Sequence, residues 1–313
     1  MSYFFWIAGP LIGFLGMMSG GFWGVGCGWI VVPTMLILGM EPLEAVGIGL
    51  LQMAPSTILT VMKQAPEIGW GKNSPGRSLV IPIGIGALMT SLLGKSINQY
   101  LIHVFGSAKP IQWMLIFCIS FIVFQTLFSR TAAYQDEFPV ITRKKSWIAF
   151  FSGFGTGIIS SMLGLGGGIF IRPLLTSGFR IPEYYTSRIV RMLVLVTSVA
   201  GGVTYLLGEG GFQLRVFMIS MLTAVGGIFG FPLGAKMHKI VYDAGYAQHI
   251  HKSFAVIAAA IPINTLLHMY GFSVLSRYLM LAIAILLSVY LAVFTIYAKK
   301  KSAEIRISSG KPE

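Results

Sequence analysis

A glycine cluster followed by a proline interrupts a hydrophobic stretch twice in this chain, 140 residues apart, and the two interruptions follow one template. Gly13, Phe14, Gly24, Gly26, Gly28, Pro33, Pro42 and Thr57 return without a gap as Gly153, Phe154, Gly164, Gly166, Gly168, Pro173, Pro182 and Thr197. The shared core reads GVGCGWIVVP over Gly24–Pro33 and GLGGGIFIRP over Gly164–Pro173. In lipid, a broken helix survives only where its freed backbone groups meet protein, water or a ligand. Interrupted segments at matching positions of two halves are the best sequence pointer to a secondary transporter's binding site.

Composition places the chain in a membrane independently. Hydrophobic residues fill 55% of 313 positions, charged ones 11%, and the mean hydropathy is +0.78. Six runs cover a hydrocarbon core of about 30 Å: Leu79–Ile102, Ile111–Phe128, Tyr185–Leu207, Val216–Lys236, Phe254–Tyr270 and Tyr278–Ala298. A seventh, Leu43–Met62, is Gly-rich and holds Pro55, which predicts a packed or kinked span. The net charge of +13 does not mean nucleic acid, because the basic residues cluster between the apolar runs. With a cytoplasmic tail and the spans threaded backwards from it, only Lys95, Lys109, Arg215 and Arg277 fall outside, and the other 19 of 23 basic residues fall inside. That is the pattern the positive-inside rule demands.

The threading closes only if Tyr3–Gly39 and Trp147–Gly178 each enter and leave by one face, because the return arms Trp29–Gly39 and Ile169–Gly178 are too short to cross. The expected fold is an all-α polytopic membrane protein: an inverted repeat of seven full transmembrane helices plus two re-entrant helical hairpins. The first repeat covers 1–130, a cytoplasmic linker 131–146 (with Asp136, Glu137 and the Arg143-Lys144-Lys145 run), the inverted second repeat 147–298, and a basic cytoplasmic tail 299–313. The N-terminus lacks a basic segment ahead of its apolar run, which reads as no cleaved signal peptide. The expected location is the plasma (inner) membrane, with the N-terminus outside and the C-terminus cytoplasmic.

Glycines at a break allow positive φ and bare the backbone N–H groups, and a helix N-terminus adds the positive end of its dipole. The return arms begin near Trp29 and Ile169, so the candidate anion site comprises Gly24, Gly26, Cys27 and Gly28 with Gly164, Gly166, Gly167 and Gly168. Close helix packing is the competing role for such glycines. Arg188 and Arg191 lie three residues apart on one helix face, about 8–12 Å along a span that starts near Glu183. Arg172, about one turn into its return arm, approaches the same level. These arginines either snorkel to the interface or line an inner vestibule that draws anions in, with Glu183 as the only nearby acid.

The doubled Gly-x-Gly-Gly-Gly-x4-Pro pattern, complete as Gly164-Leu165-Gly166-Gly167-Gly168 with Pro173, and Thr186-Ser187 thirteen residues later, resemble the TauE/SafE family of membrane permeases. The resemblance implies an inverted-repeat permease for small sulfur-containing or carboxylate anions, with Thr186 and Ser187 joining the site. The first copy departs from the pattern: Cys27 replaces a glycine, and Val46-Gly47 stands where Thr-Ser would fall.

None of the ten acids falls in mid-span, and His268, near the outer end of a span, is the only histidine placed like a proton relay. His249-Ile250-His251 has no further metal ligand nearby, Cys27 and Cys118 make no disulfide framework, and no cofactor or metal is expected. An anion leaving a negative interior gains about 2.3 kcal/mol per charge per 100 mV, so export needs no buried carboxylate. The expected function is export of a small organic or sulfur-containing anion such as sulfite or sulfoacetate by alternating access. The alternatives are an anion channel, a carrier for a non-sulfur carboxylate and a sodium-coupled importer using Ser56, Thr57, Thr197 and Ser198. No nucleophile or metal cluster points to an enzyme. The expected partners are the anion and the bilayer, with a homodimer allowed and nucleic acid excluded.

Overall fold

The computed structural model describes residues 4–128, 138–208 and 211–308. Arg130, Asp136, Glu137, Glu209 and the last five residues of the tail lie outside them. The described chain is helical apart from one two-residue rung, Leu207–Gly208 against Gly211–Phe212. The first half comprises α1 (Phe4–Trp23), α2 (Gly28–Ile37), α3 (Pro42–Ile68), α4 (Ile81–Ser91), α5 (Gly94–Phe105) and α6 (Lys109–Phe128). The second comprises α7 (Arg143–Leu163), α8 (Gly168–Pro173), α9 (Glu183–Leu206), α10 (Leu214–Asp243), α11 (Ala247–Ala258), α12 (Ala260–Met269) and α13 (Ser273–Ser308). Single π-helical turns, Gly76–Val80 and Leu174–Gly178, lead into α4 and extend α8.

Nine helical stretches among the described residues are long and apolar enough to span a membrane. Seven match the spans read from the sequence; the other two, α1 and α7, are the first arms of the expected hairpins. α7 begins at Arg143, within the segment read as a linker, because the Thr142 side chain accepts a hydrogen bond from the Lys145 backbone N–H and so caps the helix. Arg143, Lys144 and Lys145 therefore form the first turn of a helix. At the other end α13 stays helical to Ser308, well into the segment expected as a tail.

Glycines set the packing. A Cβ at Gly13 of α1 would stand 1.7 Å from the Thr223 carbonyl oxygen of α10, and one at Gly153 of α7 would stand 2.2 Å from the Ile83 carbonyl oxygen of α4. In return Gly226 abuts the Pro10 carbonyl and Gly86 the Phe150 carbonyl. Each contact recurs 140 residues on with the halves exchanged, as small residues let membrane helices approach backbone to backbone. The registers also fix direction. Gly9 faces Thr223 while Gly21 faces Phe231 and Ala235, so α1 runs parallel to α10. Gly47 faces Val216 and Gly227 faces Ser56, so α3 runs the same way. Tyr205 meets Gly47 while Arg188 pairs with Glu67, so the equivalent helices α3 and α9 run antiparallel. Between the parallel α1 and α3, the chain must return along α2: Met40 beyond its end meets Arg215, which also pairs with Glu44 at the start of α3.

Candidate functional site

The two breaks press against one another. A Cβ at Gly28 would lie 1.9 Å from the Gly164 carbonyl oxygen, and Gly26 and Gly166 share Met53 and Val194 as neighbours. Gly26 (φ +82°) and Gly166 (φ +75°) occupy the left-handed region that favours glycine. Position 27 explains the departure in the first copy. Gly167 is left-handed at φ +73°, whereas Cys27 sits at φ −113°, where a side chain costs nothing. Cys27 instead accepts a hydrogen bond from the Gln52 side chain, and Thr197 donates to the Gly166 carbonyl at 2.9 Å. A Cβ at Gly168 would meet Val190, Val194 and the Val25 carbonyl within 2.9 Å. In this conformation the glycines serve the close approach of two chain segments.

Polar chemistry gathers one step away, at the end of α1. A helix leaves its last carbonyls without intrahelical partners, and α1 ends in buried surroundings. Arg191 Nη2 donates to Gly21 O at 2.8 Å, His238 Nδ1 lies 2.7 Å from Phe22 O, and Arg172 Nη1 donates to Trp23 O. These side chains come from α9, α10 and α8. Two are permanent cations at the negative end of the α1 dipole, the arrangement that dipole favours. Arg172 also pairs with Glu183, and both side chains are under one-tenth exposed. His238 Nε2 stands 3.5 Å from the same Glu183 Oε1.

Beside this cluster opens a cavity of about 400 Å³ between α3, α9 and α10. Lys63, Arg188, Arg191, Lys236 and Lys239 line it against two acids, Glu67 and Asp243. Arg191 is 3% exposed; Nη1 donates to Gln64 Oε1 at 3.1 Å, while its buried Nε has no hydrogen-bond partner. A guanidinium among the residues that line a basic cavity can donate charge-assisted hydrogen bonds to an anion.

Of the residues expected from the sequence, Ser187, Arg188 and Arg191 line this cavity. Gly24 joins them at the α1 end, since its Cβ would stand 2.9 Å from Arg172 Nη1 and 3.7 Å from Ser187. Thr186 is buried away from the cavity and donates to the Ile181 carbonyl at 3.2 Å. Two expectations need correction. Glu183 is not the only acid near the arginines: Glu67 of α3 pairs with Arg188 at 2.6 Å, a contact 121 residues apart in sequence. His268 is not the histidine closest to a relay position either, because His238 is 5% exposed beside a carboxylate. It was missed because Lys236 and Lys239 flank it, so hydropathy ends the span at Lys236, whereas α10 continues to Asp243.

The repeated breaks and the basic cavity agree with the family resemblance, and a model of the sulfite exporter TauE/SafE family matches residues 10–265. The chain belongs to the TauE/SafE family. This family comprises membrane permeases of the sulfite-exporter type, and the match takes in both breaks, all three helices of the cavity and every residue of the α1 cap. No curated protein and no solved structure matches the chain. Among the described residues no cluster of three metal-binding side chains occurs.

Proposed function

We propose that the protein is a secondary transporter that exports a small organic or sulfur-containing anion, with the cavity beside Arg191 as its inner vestibule. One observation carries this reading: Arg191, 3% exposed, lines a cavity of about 400 Å³ together with four other basic residues and two acids. Cation excess at a low-dielectric wall concentrates anions. Lys63, Lys236 and Lys239 on that wall belong to the side the positive-inside rule makes cytoplasmic. The antiparallel course of α3 and α9 and the return of α2 support the inverted repeat with two hairpins on which alternating access would act. In this reading the glycines form the point where the two hairpins part and close, and Gly24, Arg172 and Ser187 carry the anion from the cavity toward them.

A thermal-shift screen against sulfite, thiosulfate, sulfoacetate and short carboxylates identifies the ligand class, because a ligand bound only by the folded state raises the melting temperature. Arg191→Gln should weaken binding of the best ligand about tenfold or more, the loss of one charge-assisted contact. Arg180→Gln, outside the cavity, should bind as the wild type does. Equal affinity in the two variants would remove Arg191 from the site. Saturating uptake into liposomes would mark a carrier, and ohmic flux a channel.

A further inference from the structure

The cap on α1 has a counterpart in the other half. At the end of α7, Asn98 Nδ2 donates to Met162 O at 2.7 Å and the Tyr205 hydroxyl donates to Ser161 O at 2.9 Å. Met162 is the repeat mate of Phe22, and Asn98 stands 140 residues before His238. One half therefore satisfies this carbonyl with a side chain that does not titrate, and the other uses a histidine. Capping alone does not call for an imidazole.

The imidazole adds a second ring nitrogen. A carbonyl oxygen only accepts, so Nδ1 carries the hydrogen toward Phe22 O and Nε2 keeps a lone pair. That lone pair faces Glu183 Oε1 at 3.5 Å, with both side chains under one-tenth exposed, and the ring borders the cavity that holds Arg191. We propose that His238, backed by Glu183, binds a proton together with the transported anion. The inference rests on the anion-transport reading above.

The surrounding charges explain the linkage. Arg172 from α8, and Glu183 and Arg191 from α9, surround the ring, α1 presents the Phe22 carbonyl and the edge-packed Phe22 ring, and Tyr242 of α10 stacks on the imidazole. Across the cavity α3 brings Lys63 and Glu67, and α10 itself adds Lys236, Lys239 and Asp243. Beyond the end of α10, Lys301 of α13 sits over the Tyr246 ring. With His238 neutral, the two arginines and one carboxylate at the cap sum to +1, which opposes another positive charge. An anion beside Arg191 cancels that excess. Nε2 can then take the proton of a hydronium ion entering the cavity from the buffered solvent: one O–H bond of the hydronium breaks, a water molecule is left, and the new N–H donates to Glu183 Oε1. Each ligand raises the affinity for the other, and the effect is reciprocal. A dianion carried with one proton still moves one net negative charge outward, so the membrane potential continues to favour export.

The test is calorimetry of sulfoacetate binding to the purified full-length protein, in buffers of differing ionisation enthalpy near neutral pH, where sulfoacetate itself does not titrate. Wild type should take up close to one proton per anion bound. His238→Asn, which copies the Asn98 cap, and His238→Gln should still bind sulfoacetate but take up no proton. Anion binding without proton uptake by the wild type would overturn the inference and leave the anion site standing, and so would unchanged uptake in either variant. Failure of the wild type to bind sulfoacetate at all would count against the anion site and this inference together. If neither variant folds, the wild-type proton count decides by itself.

Discussion

At the residue scale, the glycines carry two separable demands, space and φ, and the structure shows which applies where. Gly28 is confined by the Gly164 carbonyl, whereas Gly155 in α7 has nothing within 4 Å of its would-be Cβ. Gly28→Ala should therefore prevent accumulation of folded protein, because the clash is with backbone that no rotamer can move aside. Gly155→Ala should express and melt like wild type or slightly above it, since alanine is the better helix former. Size-exclusion profiles and melting temperatures of the two variants in detergent check this. The same geometry makes Gly168→Val a poor probe of anion binding, because two valines and a carbonyl already occupy the space its side chain needs. The glycines and Arg191 were legible in the sequence, because a doubled motif and a charge inside an apolar run stand out against their background. Arg188's partner was not, since nothing local links position 188 to Glu67, and His238 was hidden by the lysines beside it.

At the element scale, the ends of α1 and α7 solve one problem in two ways. Both are helix ends buried in protein, so both need donors for their last carbonyls. The α1 end receives Arg172, Arg191 and His238, and the α7 end receives the neutral Asn98 and Tyr205. The two helix ends thus share a capping position but not a charge, since the arginines sit at the α1 end alone. Asn98→Ala should leave the Met162 carbonyl buried without that donor and cost about 1–3 kcal/mol. A lowered melting temperature with unchanged anion affinity is the expected result, because Asn98 lies at the opposite end from the basic cavity. Reduced affinity at unchanged stability would contradict that separation. The helices themselves were mostly visible as apolar runs. Their true ends were not, because Thr142 and the polar last turns of α10 and α13 extend helix beyond the point where hydropathy stops.

At the scale of the whole molecule, direction matters more than the number of crossings. Among the described residues nine helical stretches are long enough to span, a count that by itself would allow several threadings. The glycine contacts reduce them. Since α1, α3 and α10 run parallel and α9 runs against them, α1 must start on the face where α3 starts, and α2 must bring the chain back. In the proposed topology, with the basic residues on the cytoplasmic face, the start of α6 lies outside and the end of α13 inside. The prediction uses a variant with Cys27 and Cys118 replaced, so that no native thiol reacts. Lys109→Cys and Lys300→Cys, both at exposed positions, are then introduced singly and labelled in intact cells with a membrane-impermeant maleimide. Lys109→Cys should label from outside at once, and Lys300→Cys only after the membrane is opened. Labelling of both from one side would require an even number of crossings between them. Six crossings in place of five would mean that α7 crosses with no return along α8 and its π-helical extension, and the proposed topology would fail.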